Sequence, residues 1–182
     1  FINSLGTDFR IWRDVIVRLV GEFGLVAYDK RGHGLSDTTP APNSIADHTG
    51  DLVGLLDHLG GRPAVVCGLS VGGPIALGLH RTRPDLVEAM ILCDTAPKIG
   101  NNDLWNDRID AALSKGLGAM ADAVMHRWFT QDFHRENAAA VSGFRNMVMR
   151  MPAEGYAGTC AGLRDSDLTA HARAVDVPTI CV

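Results

Sequence analysis

The chain has 182 residues, 46% of them apolar, and a formal net charge of −4. That length is enough for one globular domain with a substantial core, and a mild acidic balance with scattered basic residues offers no patch to nucleic acid or to an anionic membrane. The longest apolar runs, such as Ala64–Cys67 and Ala89–Cys93, are far too short to cross a bilayer, and the first residues do not read as a signal peptide.

In chain order, Phe1–Asn3 reads as the end of an apolar strand, followed by the loop Ser4-Leu5-Gly6-Thr7. From Asp8, the residues Phe9, Trp12, Ile16, Leu19, Val20 and Phe23 recur at helical spacing, with Gly24 as the stop. Leu25–Tyr28 is expected to be a strand, and Asp29–Gly34 the turn after it. Ile45, Leu52, Leu55, Leu56 and Leu59 mark one face of a helix closed by Gly60-Gly61. A strand follows at Ala64–Gly68, then a tight turn, a helix to about His80, and another strand at Ala89–Cys93. Strands made of buried-type runs that alternate with helices predict an α/β fold with a doubly wound, mostly parallel sheet.

From about Ile99 to Asp167 the pattern is helical throughout, as in Trp105–Leu113 and Met120–Phe129. The expected organisation is a first core part (1–98), a helical cap (99–167) and a return to the sheet (168–182), with a last strand at Val177–Val182. Both ends read as cut, so the chain is expected to be an internal segment of a longer protein. Cys67, Cys93, Cys160 and Cys181 form no CxxC pair. They are expected to be free, buried thiols of a reducing compartment, which points to the cytoplasm and away from a metal site.

The tight turn carries the chemistry. "CGLSVGGP" at residues 67–74 places Ser70 between Gly68 and Gly72, where a strand hands over to a helix. Such a turn aims its tip residue out of the carboxyl end of the sheet, and glycines relieve the crowding around it. The amides of the following helix then face the serine oxygen and can hold a developing oxyanion.

With "NSLGTD" at 3–8, "YDKRGHGLSD" at 28–37, "GLSVGG" at 68–73 and "LCDTAPKIG" at 92–100, the chain resembles the α/β-hydrolase superfamily. Within it, "DTAPKIG", "RWFT" at 127–130 and "PAEGYAGTCAGLRDSDL" at 152–168 are most similar to 3-oxoadipate enol-lactonases of the β-ketoadipate pathway of aromatic catabolism. The resemblance implies Ser70 as nucleophile, the backbone N–H groups of Val71 and Leu5 as the oxyanion hole, and Asn3 and Ser4 as braces of that loop. It implies a small lactone or ester substrate bearing a carboxylate, with Trp128 walling the pocket and Arg127 or Arg164 binding the carboxylate. It implies no cofactor.

A serine nucleophile needs a histidine base and a carboxylate, in the chain order Ser, Asp or Glu, His for this superfamily. Both partners are expected beyond Val182, and the segment alone is expected to be inactive. His33 reads as part of a structural turn, His48 and His58 as residues on the polar side of their helix, His80 as a turn-end residue, and His126, His134 and His171 as surface or packing residues. Asp94 reads as a cap, with the triad acid, which some members of the superfamily place after this strand, as the alternative. A carboxylesterase, a carbon–carbon bond hydrolase, a cofactor-free haloperoxidase and a non-enzymatic binder of the same fold remain open on these residues.

Overall fold

The computed structural model describes residues 1–182. Its sheet has three parallel strands in the order β1 (Ala64–Leu69), β2 (Val87–Cys93), β3 (Thr179–Cys181). Ile2 extends the sheet on the other side of β1: its N–H donates to Cys67 O at 2.8 Å and its carbonyl accepts from Leu69 N at 3.1 Å. That pairing sets the loop at residues 3–8 beside the carboxyl end of β1.

Nine α-helices accompany the strands: α1 (Arg13–Leu19), α2 (Ile45–His58), α3 (Gly72–Thr82), α4 (Asn102–Lys115), α5 (Gly118–Trp128), α6 (Gln131–Glu136), α7 (Ala138–Met149), α8 (Ala153–Asp165) and α9 (Thr169–Ala172). Their starts follow from local chemistry. At α2, Ser44 accepts from Asp47 N at 3.1 Å while Asp47 accepts from Ser44 N at 2.8 Å, a reciprocal box that satisfies two end donors. Asn101 caps α4 through Leu104 N at 2.9 Å, and Thr130 caps α6 through Phe133 N at 3.2 Å. α3 packs on both β1 and β2 and against α2. One core cluster runs from Ile2, Val66, Ile75 and Met90 in the sheet region to Trp105, Met125 and Leu163 in the helical region.

Helix α8 joins the two parts. It packs along α4 and also meets α2. Gly155 lies so close to Gly32 that a Cβ on Gly155 would sit 2.5 Å from Gly32 Cα, while Gly32 itself has φ +69°. Glycine is required on both sides of that contact.

Several sequence expectations are corrected. The first helix ends at Leu19 rather than Gly24: Gly21 adopts φ +98°, and Phe23 is 61% exposed. Gly21, just past the last helical turn, takes the left-handed conformation that ends a helix. Leu25–Tyr28 belongs to no strand; its one tie to a neighbouring segment is Phe1 N donating to Val26 O at 2.8 Å, and one bond makes no ladder. His48 is not on the polar side of α2 but fully buried, with Nε2 3.1 Å from Thr159 Oγ1 on α8. Removal from water holds it down at about 4. The four cysteines are free, and Cys67 and Cys160 are buried, but Cys93 is half-buried and Cys181 on β3 is exposed. No helix is long and apolar enough to cross a membrane.

Candidate active site

Ser70 sits at the junction of β1 and α3 with φ +54°, a conformation that costs a side-chain-bearing residue roughly 1–3 kcal/mol. Its neighbours hold it there. Ser70 N donates to Cys93 O at 3.0 Å, and Ser70 O accepts from Thr95 Oγ1 at 2.6 Å and from Gly73 N at 2.9 Å. Gly68 is needed for the same turn, since a Cβ there would lie 2.5 Å from the Gly72 carbonyl carbon. The strain is therefore over-determined by the strand before, the helix after and the Cys93–Thr95 turn beyond.

Two backbone donors stand near the serine without a hydrogen-bond acceptor in the chain: the N–H of Val71, at the start of α3, and the N–H of Leu5. Leu5 lies in a buried loop stitched by its own side chains. Asn3 Nδ2 donates to Thr7 O, and Thr7 Oγ1 donates to Ser4 O at 2.9 Å. Lys30, 1% exposed, adds its Nζ to the same Ser4 oxygen at 2.6 Å.

Ser4, Leu5 and Ser70 form the floor of a cavity of about 140 Å³. Its roof comes from three helices: Leu104, Trp105 and Arg108 of α4, Val124, Arg127 and Trp128 of α5, and Tyr156 of α8. Arg108 and Arg127 are the only charged side chains lining it, and neither is paired with a carboxylate. The Arg108 guanidinium stands 5.4 Å over the Trp105 ring and 3.4 Å from Tyr156 Oη. Burial pushes the Tyr156 hydroxyl up to about 12, against the pull of both arginines, so it stays protonated as a donor.

Of the residues expected at the site, Ser70, Leu5, Arg127 and Trp128 line one cavity; Val71, next to Ser70 in the chain, is fully buried and not among the lining residues. Arg164 does not line it either. Its guanidinium is held by Asp165 at 2.7 and 2.9 Å and by Asn106 Oδ1 at 2.9 Å, outside the cavity. Two turns beyond Tyr156 on α8, its side chain is drawn off by its neighbour Asp165 and by Asn106. Arg108, Trp105, Tyr156 and Lys30 are new to the site. Arg108 had a signal: it follows Leu104 and Trp105 by four and three residues, so all three share a helical face. Tyr156 had none beyond its segment.

The histidines are bonded or placed elsewhere. His33 is buried on Arg31 O at 3.1 Å. His80 lies between His171 at 3.3 Å and Asp176 at 3.0 Å. His126 stacks on His134, which bonds Met125 O at 3.1 Å, and His58 is exposed. Asp94 has φ +44°, donates its N–H to Val182 O at 2.9 Å, and bonds no histidine.

A larger groove, about 530 Å³, runs along β2, β3 and residues 172–177. Its walls are almost entirely apolar, with no charged side chain to orient a ligand.

Residues 1–169 match the family described as alpha/beta hydrolase fold. The chain belongs to the α/β-hydrolase fold family. It is 32% identical over 182 residues to "3-oxoadipate enol-lactonase 2" of Acinetobacter baylyi, covering all of this chain and 68% of that protein. The crystal structure of the enol-lactonase from Burkholderia xenovorans LB400 superposes with a TM-score of 0.96 at 37% identity, over 99% of this chain and 69% of that one. A thermophilic esterase from Thermogutta terrifontis, solved with malate bound, matches with a TM-score of 0.90 at 28% identity, over 96% of this chain and 66% of its own. In this α/β-hydrolase, then, the elbow serine and the two free N–H groups lie beneath a small, cationic, aromatic roof.

Proposed function

We propose that this protein is a serine hydrolase that opens a small anionic lactone, with 3-oxoadipate enol-lactone as its substrate and aromatic catabolism as its setting. One observation carries the reading: Ser70 shares a cavity of about 140 Å³ with two arginines and no carboxylate. That volume is below the ~300 Å³ of drug-sized pockets, which favours a compact substrate over a long acyl chain. Arg127, with Arg108 beside it, binds the substrate carboxylate, and Trp128 and Trp105 wall the ring. The similarity to two enol-lactonases supports the choice of lactone.

In this scheme Ser70 Oγ gives its proton to a general base as it attacks the lactone carbonyl carbon. The carbonyl oxygen becomes an oxyanion and accepts the N–H groups of Val71 and Leu5. Collapse of that intermediate breaks the ring C–O bond. The leaving group is an enolate, far more stable than an alkoxide, and it takes up a proton to give the ketone. Water then releases the acid from Ser70. We assign the general base and its carboxylate to sequence outside these 182 residues, because each of the seven histidines is bonded elsewhere or lies outside the cavity.

The second reading, a general small-acid esterase, is favoured by the similarity to the Thermogutta terrifontis enzyme. The test compares 3-oxoadipate enol-lactone with p-nitrophenyl acetate, in protein expressed with any coding sequence beyond Val182. The lactone should be preferred in kcat/KM by about tenfold or more, given two charge-assisted contacts. Ser70→Ala should remove at least about 10³-fold of both activities. Equal rates on the two substrates would favour the esterase. Activity in Ser70→Ala within a few-fold of the parent would exclude a serine nucleophile.

A further inference from the structure

We propose that Lys30 is a positioning residue of the oxyanion hole: by holding the Ser4 carbonyl oxygen it aims the Leu5 N–H into the cavity toward Ser70. This rests on the reading of Leu5 N–H as an oxyanion donor.

Ser4 C=O and Leu5 N–H belong to one planar trans peptide, so they point in opposite directions. Whatever fixes the carbonyl fixes the N–H. The Ser4 oxygen takes three donors: Lys30 Nζ at 2.6 Å, Thr7 Oγ1 at 2.9 Å and Thr7 N at 3.4 Å. On the other side of the same peptide, the Leu5 N–H has no acceptor in the chain, and Leu5 lines the cavity with Ser70. Donors crowded on a carbonyl also polarise the N–H of its peptide, which strengthens the bond that N–H can give.

The surroundings of Lys30 fit this role. It is among the largest fully buried side chains, and lysine is almost never fully buried without a partner. It is not half of an ion pair. Asp8 is engaged by Arg10 at 2.9 and 2.6 Å, and Asp29 accepts from Phe9 N at 2.8 Å and Leu35 N at 3.0 Å; neither bonds Nζ. The single hydrogen bond of Nζ is to Ser4 O. Burial pulls the amine well below the ordinary lysine value while those two carboxylates pull it back, and both the ammonium and the neutral amine donate.

The experiment uses Lys30→Met, which keeps the length and removes the donor, and Lys30→Gln, which keeps a donor on a shorter arm. Both are assayed with p-nitrophenyl acetate beside Ser70→Ala, in the protein with any coding sequence beyond Val182. Deleting an oxyanion donor costs about 10²–10³ in kcat, so misaiming one should lower kcat in Lys30→Met by about 10- to 100-fold with KM within about twofold. Affinity for a small alkylboronic acid, which forms a tetrahedral adduct, should fall with kcat, and Lys30→Gln should recover part of both. Parent-like kcat in a folded Lys30→Met beside a dead Ser70→Ala would overturn the role of Lys30 alone. Activity in Ser70→Ala would overturn the serine reading beneath it. Should Lys30→Met fail to fold, Lys30→Leu takes its place, since it removes the same donor with a shorter apolar side chain. A lowered kcat at constant KM supports the proposal, and an unchanged kcat overturns it.

Discussion

The strand–turn–helix at residues 64–82 and the helices at residues 102–165 line the same cavity, but they reach it by different means. The first region is fixed at short range. Gly68, Ser70, Gly72 and Gly73 lie within six residues, and their partners Cys93 and Thr95 are about 25 positions on, at the end of the adjacent parallel strand. The second region is fixed at long range. Arg108, Arg127 and Tyr156 come from three helices, and packing of α4 on α8 and of α5 on α4 and α7 brings them together. In the proposed scheme a backbone turn presents the reacting oxygen, and side chains on packed helices decide what meets it. Changes in the first region should therefore appear in kcat, and changes in the second in KM.

Gly155 breaks this division most sharply, because it lies in the helical region yet seats on the Gly32 turn of the sheet region. Gly155→Ala puts a methyl against backbone that cannot move aside. It should lower the unfolding free energy by about 1–3 kcal/mol, read as a lower denaturant midpoint. An unchanged midpoint would mean that the two regions are not rigidly joined there.

Arg127→Met sharpens the comparison. It should raise KM for the carboxylate-bearing lactone by about tenfold or more while leaving kcat on p-nitrophenyl acetate within about twofold. A matching loss on the neutral ester would show that Arg127 supports the cavity rather than the substrate charge.

Arg164→Ala should do least. Its pairs with Asp165 and Asn106 lie at the surface, where ion pairs contribute about 0–1 kcal/mol. KM on the lactone should stay within about twofold, since removing such a pair leaves the cavity wall intact. A large rise in KM would place Arg164 at the cavity in the working enzyme.

The sequence by itself determined the strand, the glycines and the serine of the elbow, the helical character of residues 99–167, and the loop that borders the cavity. These are short-range consequences of apolar period, turn geometry and capping, all written within a few residues. The tertiary structure decided the rest. Arg127 and Arg164 are both arginines on amphipathic helices, and helical period says which residues share a face but not which neighbour that face will meet. His48 shared a helix with apolar residues, yet only the arrival of α8 with Thr159 made its ring a buried one. Lys30 shows the limit most plainly. A lysine in a polar turn reads as solvated, and nothing local marks it for burial. Its destination is a carbonyl 26 residues earlier in the chain, on a loop brought close by the pairing of Ile2 with β1. Contacts between distant segments depend on how elements pack, and packing is a property of the assembled core rather than of any stretch within it.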